Sequence, residues 1–239
     1  MTRKKPPSRE LLDELVAANH ILYRQGVVDG FGHVSVRDLR DKGRFLLARS
    51  MAPGLVKAGD IVIYDLDGNA PPREKRKAYL ERFIHGEIYR ARPDVNSVVH
   101  SHSPSVVPFG VVSNAPLRPI CHMSGFLHPQ APIFEIRDAA GPASDMLIRS
   151  QALGVALAKS LGGHAVVLMR GHGSTVVGTS LRQAVFRAIY TEVNAKLQAD
   201  ALRLGSAITF LNAEESAQAS AMNDAVVDRP WELWRIAAG

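Results

Sequence analysis

Two histidines separated by a single residue, His100 and His102, give the strongest local signal for chemistry in this sequence. They lie at the polar end of residues 95–102, a segment whose apolar beginning predicts a β-strand. Because residues two apart on a strand point to the same face, both imidazoles could reach one metal ion. A polar strand face that meets solvent gives the same spacing, so the pair alone leaves both interpretations open.

A third histidine, His172, strengthens the metal interpretation. It follows an apolar segment at residues 165–169, and its neighbours Gly171 and Gly173 allow a sharp turn that leaves the imidazole unshielded. A turn histidine without a function is common, but Cys121 is the only cysteine, so no thiolate cluster can hold a metal. Three histidines at predicted strand ends favour a Zn²⁺ or Mn²⁺ site with open positions, which is typical of catalytic metals.

A carboxylate near these histidines could complete such a site. Glu81 lies near the start of a predicted helix, one turn before His85. Beside a divalent cation, a carboxylate acts as a ligand or as a general acid or base. Taken alone, a helix carboxylate is usually solvated, and it is the position upstream of the histidine pair that gives Glu81 its weight.

Composition argues against several other classes of protein. The 239 residues are 46% hydrophobic and 22% charged, and the mean hydropathy is −0.03, which is typical of a globular chain. No apolar stretch is long enough to span a membrane, and the basic start lacks the apolar segment of a signal peptide, so we expect a cytoplasmic protein. The net charge of +6 lies partly in short runs at residues 3–5 and 73–77, without the basic stripe of a nucleic-acid-binding surface.

Helical periodicity predicts the elements that must position these residues. Four helices are predicted, at residues 8–25, 79–90, 145–161 and 180 to about 204. Ser8 is a plausible N-cap of the first helix, and Gly26 lies where a C-terminal glycine is expected.

β-rich segments predict a sheet between these helices. The predicted strands are residues 32–37, 44–48, 61–65, 95–102 and 164–169. Asp67-Gly68 is a hairpin signal, whereas residues 211–239 form a less informative tail with Trp231 and Trp234. Strand clusters mixed with separate helices favour a sheet covered by helices over a strictly alternating βαβ fold.

Together these pieces resemble the class II aldolase/adducin family over about residues 10–210. The motifs occur in one order: Gly32-x-x-Ser35-x-Arg37, Glu81-x-x-x-His85, Arg92-Pro93-Asp94-x-x-x-Val98-Val99-His100-Ser101-His102 and Gly171-His172-Gly173. The resemblance implies an α/β class fold: a three-layer α/β/α domain with a mixed, largely antiparallel sheet, spanning residues 1–239 with a tail at 211–239. It also implies a homotetramer with active sites between subunits. The metal ligands of the family correspond to His100, His102 and His172, and its acidic residue corresponds to Glu81.

Two departures from the sugar-phosphate aldolases of this family indicate a different reaction. Those enzymes carry Asn where this chain has His33, and they hold phosphate with a segment rich in Ser, Thr and Gly. Here residues 48–54 offer Arg49 and Ser50 instead, and a guanidinium suits a carboxylate through bidentate hydrogen bonds. Residues 32–37, followed by Arg-Ser-x-x-Pro, are similar to a decarboxylase branch that acts on hydroxylated aromatic or pyridine dicarboxylates.

The preferred hypothesis is a metal-dependent, non-oxidative decarboxylase of an ortho-hydroxy aromatic or heteroaromatic carboxylate. Glu81 or His33 would donate a proton to the ring carbon that carries the leaving carboxylate, and the metal would stabilise the conjugated oxyanion. The residues assigned to substrate binding are Ser35, Arg37, Arg49, Ser50 and His122.

Two alternatives stay open. One is a retro-aldolase acting on a hydroxy-keto substrate, phosphorylated or not, and the other is an adducin-like interaction domain that has lost catalysis. The retained histidines and Glu81 count against the second, because a binding module needs no open metal site. The resemblance favours Mn²⁺ over Zn²⁺, with one ion per subunit. The expected partner is a small carboxylate substrate, with neither nucleic acid nor a membrane.

Overall fold

The structure, a computed structural model, describes residues 6–205 and 207–239; the basic run at residues 3–5 lies outside these ranges. In the described residues, seven strands form one sheet with the order β3-β2-β1-β4-β7-β6-β5. Their bounds are β1 (His33–Arg37), β2 (Arg44–Ala48), β3 (Ile61–Asp65), β4 (Ser97–Ser101), β5 (Ile133–Phe134), β6 (Val166–Met169) and β7 (Gly173–Gly178). β5 and β6 are parallel and the other neighbours are antiparallel, so the sheet is mixed and largely antiparallel, as expected.

Helices pack on this sheet. The α-helices of the described ranges are α1 (Arg9–Arg24), α2 (Arg82–Ala91), α3 (Arg137–Ala140), α4 (Gln151–Leu161), α5 (Leu181–Leu204), α6 (Ala213–Ala225) and α7 (Asp228–Ala238). Ser8, Ser150 and Ser180 precede α1, α4 and α5, and each hydroxyl accepts a hydrogen bond from a backbone N–H of the first turn. Such caps satisfy donors that have no partner inside the helix.

The alternation of side chains along the strands divides the core into two layers. In β4, Val99 belongs to an apolar cluster formed with α1, α5 and α7, while Val98 belongs to a second cluster formed with α2 and α4. Leu46 and Phe45 of β2 divide between the two clusters in the same way. Because successive strand residues point to opposite faces, helices cover both sides of the sheet, and the expected three-layer α/β/α fold is confirmed.

Several elements differ from their predicted bounds. α2 begins at Arg82 and not at residue 79, and α4 begins at Gln151 and not at residue 145. β4 ends at Ser101, so His102 lies just beyond the strand. The Asp67-Gly68 pair forms a turn, but residues 70–96, all of them described, contain no strand to complete a hairpin.

Two strands and the tail were not predicted as regular structure. β7 begins with Gly, Ser and Thr, which are ordinary loop residues, yet it lies between β4 and β6 and is buried along its length. β5 is only two residues long. The tail forms α6 and α7, and Trp231 is 1% exposed in the core cluster beside α1 and α5. None of the described helices is both long enough and apolar enough to cross a membrane.

Candidate metal centre

A cluster of metal-ligating side chains lies at the end of β4, on the face of the sheet covered by α2. His100 points to the same side as Val98, whose apolar neighbours include residues of α2 and α4. His102 follows the strand, and His172 lies in the turn that joins β6 to β7. Because β7 pairs with β4, with Thr175 opposite His100, this turn lies beside the end of β4.

The three imidazoles converge through their Nε2 atoms. Nε2 of His102 lies 3.2 Å from Nε2 of His100 and 2.9 Å from Nε2 of His172. Oε2 of Glu81 lies 3.4 Å from Nε2 of His100 and 3.6 Å from Nε2 of His172. The structure therefore brings together the four residues that the sequence analysis connects with a metal, with one ligand atom of each within 4.8 Å of the others.

Backbone carbonyls determine which ring nitrogens face the cluster. Nδ1 of His100 lies 3.1 Å from the carbonyl oxygen of Ser174, and Nδ1 of His172 lies 3.0 Å from that of Met146. A carbonyl only accepts, so each neutral imidazole carries its proton on Nδ1 and has a lone pair on Nε2. Two such lone pairs and the carboxylate of Glu81 therefore face one another, an arrangement that a cation stabilises.

The distances between these atoms also fit one divalent ion. Ligand atoms about 2.1 Å from an ion are about 3.0 Å apart at a right angle and about 3.4 Å apart at the tetrahedral angle. The separations of 2.9 to 3.6 Å among the Nε2 and Oε2 atoms fall around these values. Three imidazoles and one carboxylate suit a divalent transition metal, so the residues present fit the expected cofactor.

The backbone around His172 has special geometry. Gly171 has a φ of +64°, which supports the sharp turn expected there. Gly173 serves another purpose, because a Cβ atom at this position would lie 2.0 Å from the carbonyl oxygen of Ser101 on β4. Met146, which accepts the hydrogen bond from His172, has a φ of +68°, a conformation that costs a non-glycine residue energy and is often found at functional sites.

Glu81 lies immediately before α2 and is 7% exposed. Its Oε1 accepts a hydrogen bond of 2.9 Å from the backbone N–H of Ile148, which holds Oε2 towards the histidines. Burial by itself would raise the pKa of Glu81, but the neighbouring His100 and His172 outweigh it and lower the pKa to about 2. The carboxylate is therefore ionised at neutral pH and able to bind a cation or to accept a proton.

Burial lowers the pKa values of several histidines near Glu81. Burial, together with repulsion from His100 and His172, lowers the pKa of His102 to about 4. Burial lowers the pKa of His85 to about 3, and it holds the pKa of His33 well below the usual range for histidine. Neutral imidazole is the form that binds metals, so His102 can bind an ion at neutral pH without first losing a proton.

The low pKa of His85 predicts acid sensitivity of the metal-free protein. Above pH 6.5 this residue is neutral in both the folded and the unfolded chain and adds no pH dependence. Between pH 6.5 and about 3 only the unfolded chain binds the proton, so we expect the free energy of unfolding to fall by about 1 kcal/mol per pH unit.

Urea unfolding at a series of pH values from 7.5 down to 4.5 measures this loss. Other groups titrate in the same range, so the matched variant His85→Gln, which cannot take up the proton, isolates the contribution of the imidazole. We expect the stability of this variant to fall less steeply with decreasing pH. Equal slopes for the two proteins would contradict the assignment.

The structure places His33 beside the cluster. It is opposite His100 in the register between β1 and β4, and the two ring centroids are 5.0 Å apart. Nδ1 of His33 lies 2.7 Å from Nε2 of His85, and the ring of Tyr79 packs against it at 4.6 Å. Thus His33 is close enough to the candidate ligands to act on a molecule bound there.

Ser35 and Arg37, which were expected to contact substrate, lie on the same face of β1 as His33 but are buried. Ser35 is completely buried, and its hydroxyl binds His85 and Tyr89. Arg37 is 3% exposed, and its guanidinium donates to the backbone carbonyls of Val95, Lys42, Tyr89 and Arg92. These contacts leave neither side chain a free surface for a ligand, so both have roles in the fold.

Part of the Arg49 guanidinium is available to bind a ligand. Its Nε donates a 2.8 Å hydrogen bond to Oδ1 of Asp60, and the side chain is 37% exposed. Its two Nη groups have no hydrogen-bond partner among residues 6–205 and 207–239. Ser50 donates its backbone N–H to the carbonyl of Lys77, while its hydroxyl makes no hydrogen bond to the described residues. Both predicted residues thus keep donors that a carboxylate could accept from.

His122 is apart from the cluster. It is exposed at the start of the short 3₁₀ helix His122–Leu127, and Asn223 of α6 donates to its backbone carbonyl. The structure does not bring its ring to the candidate ligands within this chain. Three residues near the site were not singled out from the sequence: Met146, Asp60 and Tyr79. Only tertiary contacts identify them, because each acts on a candidate site residue distant in the chain.

The chain belongs to the class II aldolase and adducin family. The Class II Aldolase and Adducin N-terminal domain matches residues 13–199, which include all four residues of the cluster. The resemblance of the ordered motifs to this family is therefore confirmed.

Curated relatives narrow the class to carbon–carbon lyases. Decarboxylase tropJ of Talaromyces stipitatus is 39% identical over 92% of this chain and 90% of its own length. The 3,4-dihydroxyphthalate decarboxylase of Arthrobacter keyseri is 33% identical over 86% of this chain and 84% of its own length. The relatives named as decarboxylases or aldolases are lyases, and this chain is a lyase of the same family.

Solved structures agree with the fold. L-fuculose 1-phosphate aldolase from Glaciozyma antarctica is 23% identical, with a TM-score of 0.77 over 98% of this chain and 93% of its own. An aldolase II superfamily protein from Pseudomonas syringae is 22% identical, with a TM-score of 0.78 over 99% of this chain and 94% of its own. At this identity the comparison supports the fold alone.

Proposed function

We propose that this protein is a metal-dependent, non-oxidative decarboxylase of an aromatic or heteroaromatic acid with a hydroxyl group ortho to the carboxylate. The observation that carries the proposal is the convergence of His100, His102 and His172 with an ionised Glu81 at one point. Relatives named as decarboxylases of the same family support the reaction type.

A divalent ion held by the three histidines would supply the positive charge that stabilises an oxyanion conjugated with a carbanion. We propose Mn²⁺ over Zn²⁺, because a carboxylate oxygen lies beside the three imidazoles and oxygen ligands suit Mn²⁺. The same residues leave positions open for the hydroxyl and carboxylate oxygens of a substrate.

Glu81 can move the proton that decarboxylation requires. Because it is ionised at neutral pH, it can take the proton of the ortho-hydroxyl group and deliver it to the ring carbon that carries the carboxylate. The C–C bond then breaks, its electron pair restores the aromatic ring, CO₂ leaves, and the phenolate product takes a proton from water. His33 is the alternative donor, since it lies next to His100.

We propose that Arg49 and Ser50 bind a second carboxylate, one that stays on the product. Asp60 holds Nε of Arg49, so the guanidinium is oriented while its Nη groups remain free of partners in the described chain. Hydrogen bonds from a guanidinium to a carboxylate are charge-assisted and contribute on the order of 1.5–3 kcal/mol.

Replacement of Arg49 by Lys should raise KM for a dicarboxylate substrate by roughly tenfold, because Lys keeps the charge but loses the fork geometry. Metal content should not change, because Arg49 is not a ligand. Steady-state kinetics check the prediction, and Arg82→Lys on α2, whose guanidinium donates to backbone carbonyls, serves as the matched control. A wild-type KM for Arg49→Lys would mean that the second carboxylate binds elsewhere.

The function is tested by incubating the Mn²⁺-loaded protein with 3,4-dihydroxyphthalate and related hydroxylated aromatic and pyridine dicarboxylates. Release of CO₂ with formation of the monocarboxylate is the expected result. Retro-aldol cleavage of L-fuculose 1-phosphate without CO₂ release from any acid would favour the aldolase alternative instead. Absence of both activities in the metal-loaded protein would favour an adducin-like role.

We also propose that four copies assemble with the sites at subunit interfaces. Phe31 is 69% exposed although its ring centroid lies 6.1 Å from that of His102. A large apolar side chain at the rim of a candidate site is suited to cover by a second chain. Sedimentation equilibrium should give a mass of four chains, and Phe31→Asp should shift it towards smaller species. A wild-type protein that sediments as a single chain would contradict this arrangement.

A further inference from the structure

A chain of four buried polar side chains leads from α2 to the candidate metal centre. The hydroxyl of Tyr89 lies 2.7 Å from Oγ of Ser35, and Oγ of Ser35 lies 2.6 Å from Nδ1 of His85. Nε2 of His85 lies 2.7 Å from Nδ1 of His33, which is next to His100. All four side chains are at most 4% exposed, so water does not compete for their hydrogen bonds.

The direction of the first hydrogen bond follows from the tyrosine. Tyr89 is 1% exposed, and burial raises its pKa, so the phenol keeps its proton. Oγ of Ser35 lies 2.7 Å from that O–H and is its side-chain partner, while a backbone group of Val98 also contacts the phenol. If Ser35 donated to Tyr89 instead, the buried O–H would lose this short hydrogen bond, and leaving it unpaired would cost roughly 1–3 kcal/mol. Tyr89 therefore donates to Ser35.

The proton positions on Ser35, His85 and His33 follow from the donor role of Tyr89. Ser35 has a single proton, and with Tyr89 donating to it, this proton goes to Nδ1 of His85. A neutral imidazole that accepts on Nδ1 carries its proton on Nε2, so His85 donates to Nδ1 of His33. By the same rule the proton of His33 is on Nε2. In the described part of the chain, this Nε2 has no hydrogen-bond partner.

We propose that Tyr89, Ser35 and His85 are positioning residues that fix His33 with its proton on Nε2, so that it is a hydrogen-bond donor to a substrate oxygen at the metal centre. The identity of the oxygen rests on the proposed function, whereas the position of the proton does not. A donor of fixed direction favours an anionic oxygen over a cationic or donor group on the bound molecule.

The series of hydrogen bonds from Tyr89 to His33 fixes the orientation of His33 but does not supply it with protons. If His33 gave up its Nε2 proton and drew a replacement through His85 and Ser35, the charge would end on Tyr89 as a phenolate. Burial raises the pKa of this tyrosine, so a phenolate at that position is strongly disfavoured. A proton that leaves His33 must therefore return from the substrate side of the ring.

Nuclear magnetic resonance can observe the proton positions directly. Two-bond ¹H–¹⁵N spectra of protein labelled with ¹⁵N-histidine and loaded with diamagnetic Zn²⁺ distinguish protonated from unprotonated ring nitrogens. The signals of His33 are those that disappear in His33→Asn. We expect His33 and His85 to be neutral with protons on Nε2. A proton on Nδ1 of His33 would overturn the proposal, whatever the enzyme turns over.

Two substitutions of His85 separate positioning from packing. In His85→Gln the side-chain amide can donate to Nδ1 of His33 and accept from Ser35, so the Nε2 proton of His33 should persist. In His85→Leu the donor is lost, and we expect both protonation forms of His33 and a kcat about 10- to 100-fold below that of His85→Gln, with unchanged metal content. Equal proton positions and equal kcat in the two variants would contradict a positioning role.

Ser97→Ala is the matched control for loss of a buried hydroxyl. Ser97 donates to the backbone carbonyl of Ser35 and is outside the chain of side chains. The spectra of Ser97→Ala should therefore match those of the wild type. A changed His33 signal in this variant would show that the proton position responds to general loosening of the sheet. Failure of the wild-type enzyme to release CO₂ would overturn the proposed function, while the spectra, recorded without substrate, would still decide the position of the proton.

Discussion

Replacement of Glu81 by Gln is expected to reduce turnover by roughly 10²- to 10⁴-fold, the usual scale for loss of a general acid or base. Gln has the shape of Glu, so its side-chain oxygen can still accept the hydrogen bond from Ile148 and the fold should persist. It cannot take up and deliver a proton, however. Three imidazoles remain to hold the metal, so most of the bound ion should stay. Measurements of kcat and of metal per chain check both parts.

Glu87→Gln provides the matched control for this prediction. Glu87 is also a buried carboxylate of the α2 region, at 4% exposed, but it pairs with Arg90 and lies outside the metal cluster. We expect it to turn over at close to the wild-type rate. Loss of metal together with turnover in Glu81→Gln would make Glu81 a ligand and leave His33 as the proton donor. Turnover within about threefold of wild type would exclude Glu81 from both roles.

Replacement of His172 by Ala should remove the metal and the activity together. The substitution removes one of the three imidazoles of the cluster. Residues that only hydrogen-bond to a metal ligand typically contribute 10–100-fold to metal affinity, so the loss of a ligand itself should lower the affinity by more than about 100-fold. His172 lies in the turn between β6 and β7, outside the two apolar clusters, so folding should survive the loss. Metal analysis after dialysis and circular dichroism measure the two effects.

His164→Ala is the matched control for metal loss. His164 precedes β6 at the opposite end of the strand from His172, and it is not part of the cluster. This variant should keep one ion per chain. If His172→Ala also kept one ion per chain at wild-type affinity, the ion would be held by other residues and the proposed ligand set would be wrong.

Much of the local structure could be predicted from the residues alone. Strands β2 and β3 have the bounds expected from their apolar residues, and serine caps mark the beginnings of α1 and α5. These features depend on φ and ψ preferences and on neighbours a few residues away, which are present in the sequence itself. β7 could not be predicted in the same way, because its Gly, Ser and Thr form a strand only between two strands that are already paired.

The candidate site also has a part that the sequence predicts and a part that depends on the tertiary structure. The type and spacing of His100 and His102 indicate a shared ligand by themselves, since residues two apart lie on one face of any strand. The convergence of Glu81 and His172 on that pair depends on the sheet order, which places β7 and the turn before it next to β4. Pairing of distant segments is a property of the whole fold, and no local pattern contains it.

Tertiary structure also decided which polar residues can meet a substrate. From sequence, Ser35 and Arg37 are equivalent to Arg49 and Ser50 as donors for a carboxylate. In the folded chain α2 and β4 enclose Ser35 and Arg37. Ser35 forms hydrogen bonds with His85 and Tyr89, and Arg37 donates to backbone carbonyls. Arg49, in contrast, keeps donors without a partner in the described chain. The sequence by itself determined which side chains can donate, and only packing, which excludes water and ligands from some of them, decided which donors remain free.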